Sequence, residues 1–317
     1  MRERSDILPL EVGGGPLESR GTFRKRLVTA RQDFIWYPWL GRRRAAAAGV
    51  DVYHCPTSRA PLTRGKLPLV VTVHDLVSVL FPETMTRWSR LYERTTLHRV
   101  LRAADLIVAP SQDTADDLNS LMGVAPDRVR VVWNGVTEMF FGPTPAAPAL
   151  LQPYVLFVGT PEPRKNLPRL IEAMRALRAR GFPHRLVVAG AGGWGGVQLD
   201  STEVEVLGRV SDASLHAIYA HASCLALPSL HEGFGLPAVE AMAAGTPVVA
   251  STRGALPEVT GSAAVLVDPY DSQAIARGIE RAINERAALV PAGRVRANQF
   301  RWSQTAAKMA AIYRELA

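Results

Sequence analysis

The sequence predicts an α/β protein with two domains, each holding a parallel β-sheet with helices on both faces, arranged around a shared cleft. Three observations predict this fold. Short apolar, β-branched runs alternate with amphipathic helical stretches along the chain, which is typical of buried parallel sheets. A proline-rich segment, TPAAPALLQP at 144–153, interrupts the alternation once. The 317 residues suffice for two domains that each bury their own core.

The first half contains four predicted strands and two predicted helices. The strands are DVYHCP at 51–56, LVVTVH at 69–74, LIVAPS at 106–111 and RVVWNGV around 130–136, and the helices cover about 84–103 and 112–122. The second half is predicted to contain strands at 154–159, 185–190, 203–208, 224–229, 246–251 and 264–269, and helices at about 167–180, 212–221, 237–244, 271–285 and 303–316. We therefore predict an N-terminal domain at 1–146 and a C-terminal domain at 147–317. We expect the last helix to pack back on the N-terminal domain.

The composition is that of a soluble globular protein, because 47% of residues are apolar and 21% are charged. Cys55 and Cys224 lie far apart and outside any C-x-x-C spacing, so we expect a reducing compartment, with neither a disulfide nor a zinc site. The charged first residues argue against a signal peptide. No apolar run approaches the roughly 18–20 residues of a membrane helix. The expected location is the cytoplasm.

The formal net charge is +8, and basic residues crowd the first part of the chain, at Arg24, Lys25, Arg26, Arg31, Arg42, Arg43, Arg44, Arg59, Arg64 and Lys66. Such a patch suits anionic lipid, a phosphorylated substrate or nucleic acid, and it is equally compatible with a solvated arginine-rich surface. Nucleic acid is not expected, because no aromatic-interleaved stretch or known binding motif accompanies the charge. Peripheral contact with the inner face of an anionic membrane is an expectation.

The stretch GAGGWG at 190–195 matches G-x-G-x-x-G and follows a predicted strand. A dinucleotide fingerprint also needs a helix that opens at the third glycine. Here GVQLDSTEVEVLG runs quickly into another strand, so there is little room for such a helix. We therefore do not predict a nicotinamide site, although a glycine turn that brings backbone near a ligand remains open.

Unusual residues follow several predicted strands, which is where open parallel sheets bind ligands. The segment PEPRKN at 161–166 follows the first strand of the second domain and places Arg164 and Lys165 just before a helix that Asn166 opens. A helix N-terminus carries about half a positive charge, and two adjacent cations add to it. We interpret this segment as a phosphate site, the alternative being two surface cations.

The segment HEGFGLPAVEAMAAG at 231–245 predicts a second part of the same site. Pro237 suits the first position of a helix and Gly245 its end, while glycines before the helix let backbone N–H groups approach a phosphate. Glu240 would repel a phosphate but suits the two hydroxyls of a ribose, and Glu232 would reach another part of the ligand. This spacing favours a nucleotide-diphosphate sugar. The alternative is a charged helix start without a ligand.

Taken together, the motifs resemble the retaining family 4 glycosyltransferases of the GT-B fold. The segment H-EGFGLP-x-x-E-A-M-A-x-G-x-P-V-V-A-S, followed by LPEV and LVDP, carries that family's E-x7-E pair in Glu232 and Glu240. VGTPEPRKNL, LGRVSD, CLALPSLHEGFG, VTVHDL, ADLIVAPSQDTADDL and RVVWNGV are also similar to it. The resemblance covers the chain from about Asp51 to the end.

The resemblance implies roles for individual residues. Arg164 and Lys165 would bind the diphosphate, Glu240 the ribose, Glu232 the donor sugar, and His74 would touch that sugar from the first domain, with a satisfied buried histidine as the alternative. The remaining donor-binding positions implied are Gly233, Phe234, Gly235 and Leu236 at the distal phosphate, Gly208, Arg209 and Val210 at the base, and Gly159, Thr160 and Ser111. Such enzymes are usually metal-independent and use a front-face mechanism, so no metal and no cofactor are expected.

Two departures from the family pattern affect the expected acceptor side. Family members usually begin with a strand and a glycine-rich loop, whereas MRERSDILPLEVGGGP resembles their second strand region. Gly13, Gly14 and Gly15 follow a possible strand, but no clear helix opens there. We therefore expect the first βα unit to be missing or replaced. Many relatives also carry Arg where this chain has Thr160.

The leading hypothesis is a retaining glycosyltransferase that uses a nucleotide-diphosphate sugar, with GDP-mannose as the first choice, and a glycan, lipid-linked or small-molecule acceptor. A truncated, non-catalytic nucleotide-sugar-binding protein is the alternative, and a nucleotide-sugar epimerase is a third. The leading hypothesis predicts that Glu232→Ala or Lys165→Ala abolishes transfer while thermal stability changes little.

Overall fold

The computed structural model describes residues 7–11, 32–85, 87–150, 153–190 and 204–317. Within them, ten strands form two sheets. The first sheet contains β1 (Tyr53–Cys55), β2 (Leu69–Thr72), β3 (Leu106–Ala109) and β4 (Val129–Val131). The second contains β5 (Tyr154–Val158), β6 (Arg185–Ala189), β7 (Val204–Gly208), β8 (Cys224–Leu227), β9 (Val248–Ser251) and β10 (Val265–Val267). Each predicted strand is confirmed, with ends that differ by a few residues.

Helices connect the strands of both sheets. The α-helices of the described residues are α1 (Gly41–Ala47), α2 (Val77–Leu80), α3 (Arg87–Ala103), α4 (Gln112–Met122), α5 (Leu167–Arg178), α6 (Asp212–His221), α7 (Leu236–Ala244), α8 (Leu256–Thr260), α9 (Ser272–Asn284), α10 (Arg286–Ala297) and α11 (Trp302–Leu316). A π-helix covers Gln32–Leu40, and short 3-10 turns lie at Pro82–Thr84, Pro126–Arg128, Glu138–Phe141, Pro163–Lys165, Gly261–Ala263 and Asn298–Phe300. None of the helices described has the length and hydropathy that a bilayer-spanning segment requires.

All strand pairs in both sheets are parallel, as the apolar runs predict. The first sheet has the order β1-β2-β3-β4, and the second has the order β10-β9-β8-β5-β6-β7. In the second sheet the chain runs from β5 through β6 to β7 toward one edge, and from β8 through β9 to β10 toward the other. This reversal between adjacent strands creates a crevice beyond their carboxyl ends, where α/β proteins bind ligands.

The last helix, α11, packs against the first sheet. Side chains alternate between the faces of a strand, and one face of the first sheet presents Val70 and Val108 to Ile312 of α11. The phenol of Tyr313 contacts Nδ1 of His54 at 2.7 Å. The chain thus leaves the first sheet after β4 and returns to it through its final helix.

Several elements differ from the sequence-based expectation. The strand expected to reach residue 136 ends at Val131, although Val136 makes an isolated bridge with Arg301. Helix α10 was not predicted, because Pro291 lies inside it and interrupts the helical signal. The possible strand before Gly13 does not form at residues 7–11, which have no regular structure. The glycines at 13–15, the basic residues at 24–31 and most of GAGGWG lie outside the described residues.

Candidate active site

The candidate site lies beyond the carboxyl ends of β5 and β8, where the strand order of the second sheet reverses. These two strands are neighbours, with Val155 beside Cys224 and Leu156 beside Leu225. The loop after β5 carries Arg164 and Lys165, and the loop after β8 carries Glu232. The topology therefore brings together two motifs that are far apart in sequence.

The loop after β5 is held in place by an asparagine in an unusual conformation. Gly159 and Thr160 leave the strand, and a 3-10 turn at Pro163–Lys165 presents the two cations. Asn166 follows with φ of 59°, a left-handed conformation that is uncommon for a residue with a side chain. Its side-chain amide donates to the carbonyl of Pro228 at 2.9 Å and to that of Pro269 at 2.6 Å. Asn166 thus opens α5 as predicted, but its side chain joins three loops instead of capping the helix.

Arg164, Lys165 and Glu232 form one buried ionic cluster. The carboxylate of Glu232 accepts hydrogen bonds from Nζ of Lys165 at 2.7 Å and from Nη1 of Arg164 at 3.1 Å. Ser229 donates its hydroxyl to the same carboxylate at 2.6 Å. Arg164 also donates to the carboxylate of Glu162 at 2.6 Å. The exposed fraction of each of these four charged side chains is 12% or less.

The charges of this cluster determine the protonation of Glu232. Burial alone would raise the pKa of Glu232, but the charges of Lys165 and Arg164 and the hydrogen bonds from Lys165 and Ser229 outweigh burial and lower it. Burial likewise opposes the charge of Arg164, while the carboxylates of Glu232 and Glu162 raise its pKa. Glu232 and Arg164 therefore keep their charges although both side chains are nearly dehydrated.

The glycine loop after β8 touches the first domain. A Cβ atom on Gly233 would lie 2.0 Å from the carbonyl oxygen of His74, so only glycine fits this approach. The hydroxyl of Ser111 donates to the carbonyl of Gly233 at 2.7 Å and also accepts from the amide of Thr114, capping α4. Ser111 is fully buried. The loop between the two glutamates is thus where the two domains meet.

Helix α7 begins directly after this loop and presents its N-terminus to the crevice. Gly235 adopts φ of 89° before the helix, Leu236 is its first residue, and Gly245 ends it in a left-handed conformation. The side chain of Phe234 packs edge-on against Phe300 at 5.6 Å, so only its backbone is available to a ligand. The first amides of a helix have no acceptor within it. The helix bounds confirm the prediction to within one residue.

Glu240 lies one turn inside α7 and pairs with a residue that the sequence did not single out. Its carboxylate accepts a hydrogen bond from the phenol of Tyr219 on α6 at 2.9 Å. Burial raises the pKa of Glu240, and the hydrogen bond from Tyr219 opposes that rise. Tyr219 is fully buried. The phenol therefore fixes the orientation of the carboxylate that the sequence assigns to a ribose.

The ends of β5, β6 and β7 bring three glycines together. A Cβ atom on Gly190 would lie 2.1 Å from the carbonyl oxygen of Gly159. The amide of Gly190 donates to the carbonyl of Gly208 at 2.9 Å. Arg209 follows as an exposed residue and Val210 is half-buried. The residues assigned to the base thus lie at the same edge of the sheet as the cationic loop.

His74 lies at the end of the first sheet that faces the glycine loop. Its side chain is exposed, and Nε2 contacts the carbonyl oxygen of Pro56 at 2.9 Å. Because a carbonyl oxygen can only accept, Nε2 is the donor in this contact. The structure therefore gives His74 a backbone contact with the second domain and a side-chain contact within the first. Its role toward a sugar stays a prediction.

The structure reveals interdomain contacts that motif spacing did not indicate. Glu258 accepts from the amide of Gln112 at 2.8 Å and from the indole of Trp133 at 2.9 Å. Asp113, Asp117 and His231 converge nearby. Their spacing in the sequence is not that of a metal site, so the sequence does not predict this cluster. Asp113 and Asp117 lie on α4 of one domain, and His231 lies on a loop of the other.

Two Rossmann-like sheets, with an ionic cluster at the switch point of the second and a neighbouring glycine loop that contacts the first domain, define a GT-B fold. Two family descriptions match the sequence: "Glycosyl transferases group 1" over residues 152–285 and "Glycosyltransferase Family 4" over residues 10–138. The chain belongs to the family 4, group 1 glycosyltransferases.

Two relatives are named mannosyltransferases. The O-antigen chain mannosyltransferase B of Escherichia coli is 31% identical over 304 residues, which cover 88% of this chain and 79% of that protein. The MMP alpha-(1->4)-mannosyltransferase of Mycolicibacterium hassiacum is 33% identical over 268 residues, which cover 78% of this chain and 65% of that protein. The chain thus spans about two thirds of the second relative.

Solved structures share the fold at low sequence identity. Sucrose-phosphate synthase from Thermosynechococcus elongatus superposes with a TM-score of 0.73 at 24% identity, covering 95% of this chain and 81% of the other. Anabaena HepE, solved in complex with UDP-glucose, has a TM-score of 0.68 at 22% identity, covering 87% of this chain and 81% of the other. At these identities the likeness concerns the fold.

Proposed function

We propose that this chain is a retaining glycosyltransferase that moves a hexose from a nucleotide-diphosphate sugar, with GDP-mannose as the first choice, to a glycan, lipid-linked or small-molecule acceptor. The observation that carries the proposal is the convergence of Arg164, Lys165 and Glu232 at the switch point, beside the N-terminus of α7. The mannosyltransferase names of two relatives support the sugar. The UDP-glucose complex of HepE supports the class of donor.

The donor diphosphate would bind between the cationic loop and α7. In the cluster, Arg164 and Lys165 contribute two positive charges, and Glu162 and Glu232 contribute two negative ones. The cluster is therefore nearly neutral by itself, so the N-terminus of α7 supplies the additional positive potential that a diphosphate requires. The amides of Phe234, Gly235 and Leu236 would hold the distal phosphate, with Gly159, Thr160 and Ser111 near it.

Glu240 would accept the ribose hydroxyls, with Tyr219 holding its carboxylate. Gly208, Arg209 and Val210 would line the base pocket. Glu232 would contact the donor sugar near the anomeric carbon, and His74 would approach that sugar from the first domain. These assignments place the nucleotide along the carboxyl edge of the second sheet.

In the transfer step, the bond between the anomeric carbon and the diphosphate oxygen breaks, and the acceptor hydroxyl attacks from the face that the diphosphate leaves. The hydroxyl proton passes to the departing diphosphate oxygen as the new glycosidic bond forms. Arg164 and Lys165 would stabilise the negative charge that develops on the departing diphosphate. No protein nucleophile takes part in this step, and neither a metal nor a cofactor is assigned to it. Retention at the anomeric carbon follows from attack on that face.

The enzyme would work in the cytoplasm, with its acceptor side near an anionic membrane surface. The positive charge of the chain supports this location. Binding to liposomes that contain anionic lipid should weaken as salt rises from 0.05 to about 0.5 M, because salt screens exposed charges. Binding that does not respond to salt would contradict an electrostatic contact.

A donor screen tests the proposal directly. The protein is incubated with a panel of GDP- and UDP-sugars, and donor hydrolysis is read as released nucleotide diphosphate. Hydrolysis by the wild type and its loss in Lys165→Ala support the proposal. Lys308→Ala, which removes the same side chain at an exposed position of α11, is the matched control and should keep full activity.

Two other outcomes would identify the competing functions. Nucleotide-sugar binding measured by calorimetry, without hydrolysis or transfer to any acceptor tried, would identify a non-catalytic binding protein. An isomerised donor sugar formed without acceptor would identify an epimerase. Full hydrolysis in Lys165→Ala would overturn the assigned phosphate site.

A further inference from the structure

Three side chains from the two domains surround one point beside the glycine loop. Asp113 and Asp117 are four residues apart on α4, which places both on one face of the helix. His231 reaches the same point from the loop after β8. Its Nε2 lies 3.9 Å from the nearest carboxylate oxygen of each aspartate. The three candidate ligand atoms all lie within 4.8 Å of one another.

These atoms are buried and have no hydrogen-bond partner within the part of the chain that the structure describes. The side chain of His231 is only 9% exposed, and its Nε2 is unpaired. The facing Oδ2 atoms of Asp113 and Asp117 are also buried and unpaired. A separation of 3.9 Å is too long for a direct hydrogen bond. Leaving three such groups unsatisfied is unfavourable, so the arrangement requires an occupant.

Neighbouring carboxylates make the electrostatic potential between these three side chains negative. Glu258 lies close enough to accept a hydrogen bond from the amide of Gln112 at 2.8 Å and, at 3.3 Å, from that of Asp113. Asp116 is on the same turn of α4. The ring of Phe81 lies 6.1 Å from that of His231 and provides an apolar neighbour. One imidazole cannot neutralise this group of carboxylates, so the occupant that fits is a cation.

We propose that Asp113, Asp117 and His231 bind one divalent transition-metal ion that joins the two domains. Two carboxylate oxygens and one imidazole nitrogen suit Zn²⁺ or Mn²⁺. Zinc bonds of about 2.0–2.2 Å place the ligands of a tetrahedral ion about 3.4 Å apart. The two separations of 3.9 Å from His231 therefore close with movements of about half an ångström. The two carboxylate oxygens lie within 4.8 Å of each other, so they close by at most about 1.4 Å, which side-chain rotation allows. Water would take the remaining position.

Such an ion would act as an interdomain clamp. It would fix α4 of the first domain to the loop that continues into Glu232, in addition to the bond between Ser111 and Gly233. The clamp is separate from the proposed transfer step, to which no metal is assigned. Its test therefore uses binding and stability, and its outcome does not depend on the donor.

Calorimetry of the protein without a histidine tag, after removal of metals by EDTA and dialysis, tests the proposal. Titration with Zn²⁺, and separately with Mn²⁺, should show one ion per chain for at least one metal and a raised Tm. The double variant Asp113→Asn/Asp117→Asn should lose at least tenfold in affinity and should lose the rise in Tm. Asp127→Asn is the matched control, because it removes the same charge from an exposed position outside the cluster.

Titration of the wild type shows whether the site binds a metal ion. No binding of either ion at about 1 mM would overturn the proposal. Binding that is unchanged in the double variant would place the ion elsewhere and overturn it as well. If the double variant does not fold by circular dichroism, the single variant Asp117→Asn and the d–d absorption of bound Co²⁺ replace it. A cobalt spectrum identical in Asp117→Asn and in the wild type would then contradict the proposed ligands.

Discussion

The ammonium group of Lys165 donates a hydrogen bond of 2.7 Å to the carboxylate of Glu232, although 67 residues separate them in sequence. The two side chains are only 12% and 7% exposed. Glu232 therefore positions the cations of the proposed phosphate site, in addition to the contact with the sugar that its motif implies. Because Glu232 has both roles, its replacement should affect stability as well as activity.

Replacing Glu232 should destabilise the protein. Glu232→Ala leaves Lys165 and Arg164 buried without their shared partner, and breaking a buried ion pair in this way costs about 3 kcal/mol or more. The structure thus argues against the sequence-based expectation that thermal stability changes little. Urea denaturation measures the loss, with Glu83→Ala at an exposed position as the control. A Glu232→Ala variant as stable as the control would show that the cluster does not support the fold.

Gly233 should tolerate no side chain. In Gly233→Ala the new Cβ would overlap the carbonyl oxygen of His74 at 2.0 Å and approach Cβ of Asp75 at 2.8 Å. The domains must then separate locally, and overpacking of this kind costs about 1–3 kcal/mol. We expect donor hydrolysis to fall at least tenfold, as measured by kcat/KM.

Gly49→Ala is the control for this variant. Gly49 has φ of 70°, and a Cβ there would meet no atom within 4 Å. Alanine at this position adds backbone strain of about 1 kcal/mol but no overlap. It should therefore reduce stability slightly and leave kcat/KM unchanged. Equal activity in the two variants would show that the contact between Gly233 and His74 is not needed for the reaction.

Tyr219→Phe should weaken donor binding more than it slows the reaction. The phenol of Tyr219 holds the carboxylate of Glu240 at 2.9 Å and lowers its pKa against the effect of burial. Without the phenol, Glu240 is less well oriented and more easily protonated, so it binds ribose hydroxyls less well. We expect a several-fold rise in the KM for the donor with little change in kcat. Tyr270→Phe, at a half-exposed surface residue, is the control and should have the KM of the wild type. An equal KM in the two variants would show that Tyr219 has no role in donor binding.

The fold was predictable from sequence because its signal is local. Each strand is a short apolar run, and strands such as Leu69–Thr72 and Leu106–Ala109 are buried on both faces. Helix α10 escaped prediction because Pro291 inside it contradicts the local pattern. The loops that carry the candidate site were also predictable, since the carboxyl ends of parallel strands share one edge.

The pairings within the site were not predictable, because they depend on how distant elements pack. Nothing in the spacing of Tyr219 and Glu240 indicates that α6 and α7 place them in contact. The meeting of His231 with α4 depends on the orientation of the two domains. Motifs thus identify the segments that form the crevice, whereas the partners of each charged group follow only from tertiary structure.

His54 should make the protein less stable in mild acid. It lies between Tyr313 of α11, at 2.7 Å from Nδ1, and Thr72 of β2, at 2.9 Å from Nε2. Burial, with a smaller contribution from His74, lowers the pKa of His54 to about 4, against about 6.5 in an unfolded chain. Between these values the unfolded state binds the proton more tightly than the folded state. The stability that the neutral imidazole contributes is therefore complete above about pH 6.5 and is lost as the pH falls toward 4.

A comparison of the wild type with His54→Asn isolates this effect. His184 and His216, whose pKa values burial also lowers, contribute equally to both proteins and cancel in the difference. The free energy of unfolding, measured in urea at pH 7.5 and pH 5.0, should fall by on the order of 2 kcal/mol more in the wild type than in the variant. Because His54 contacts α11, circular dichroism at pH 7.5 should first show that the variant keeps its helices. Parallel pH profiles for the two proteins would show that His54 takes up its proton without opening the contact between α11 and the first sheet.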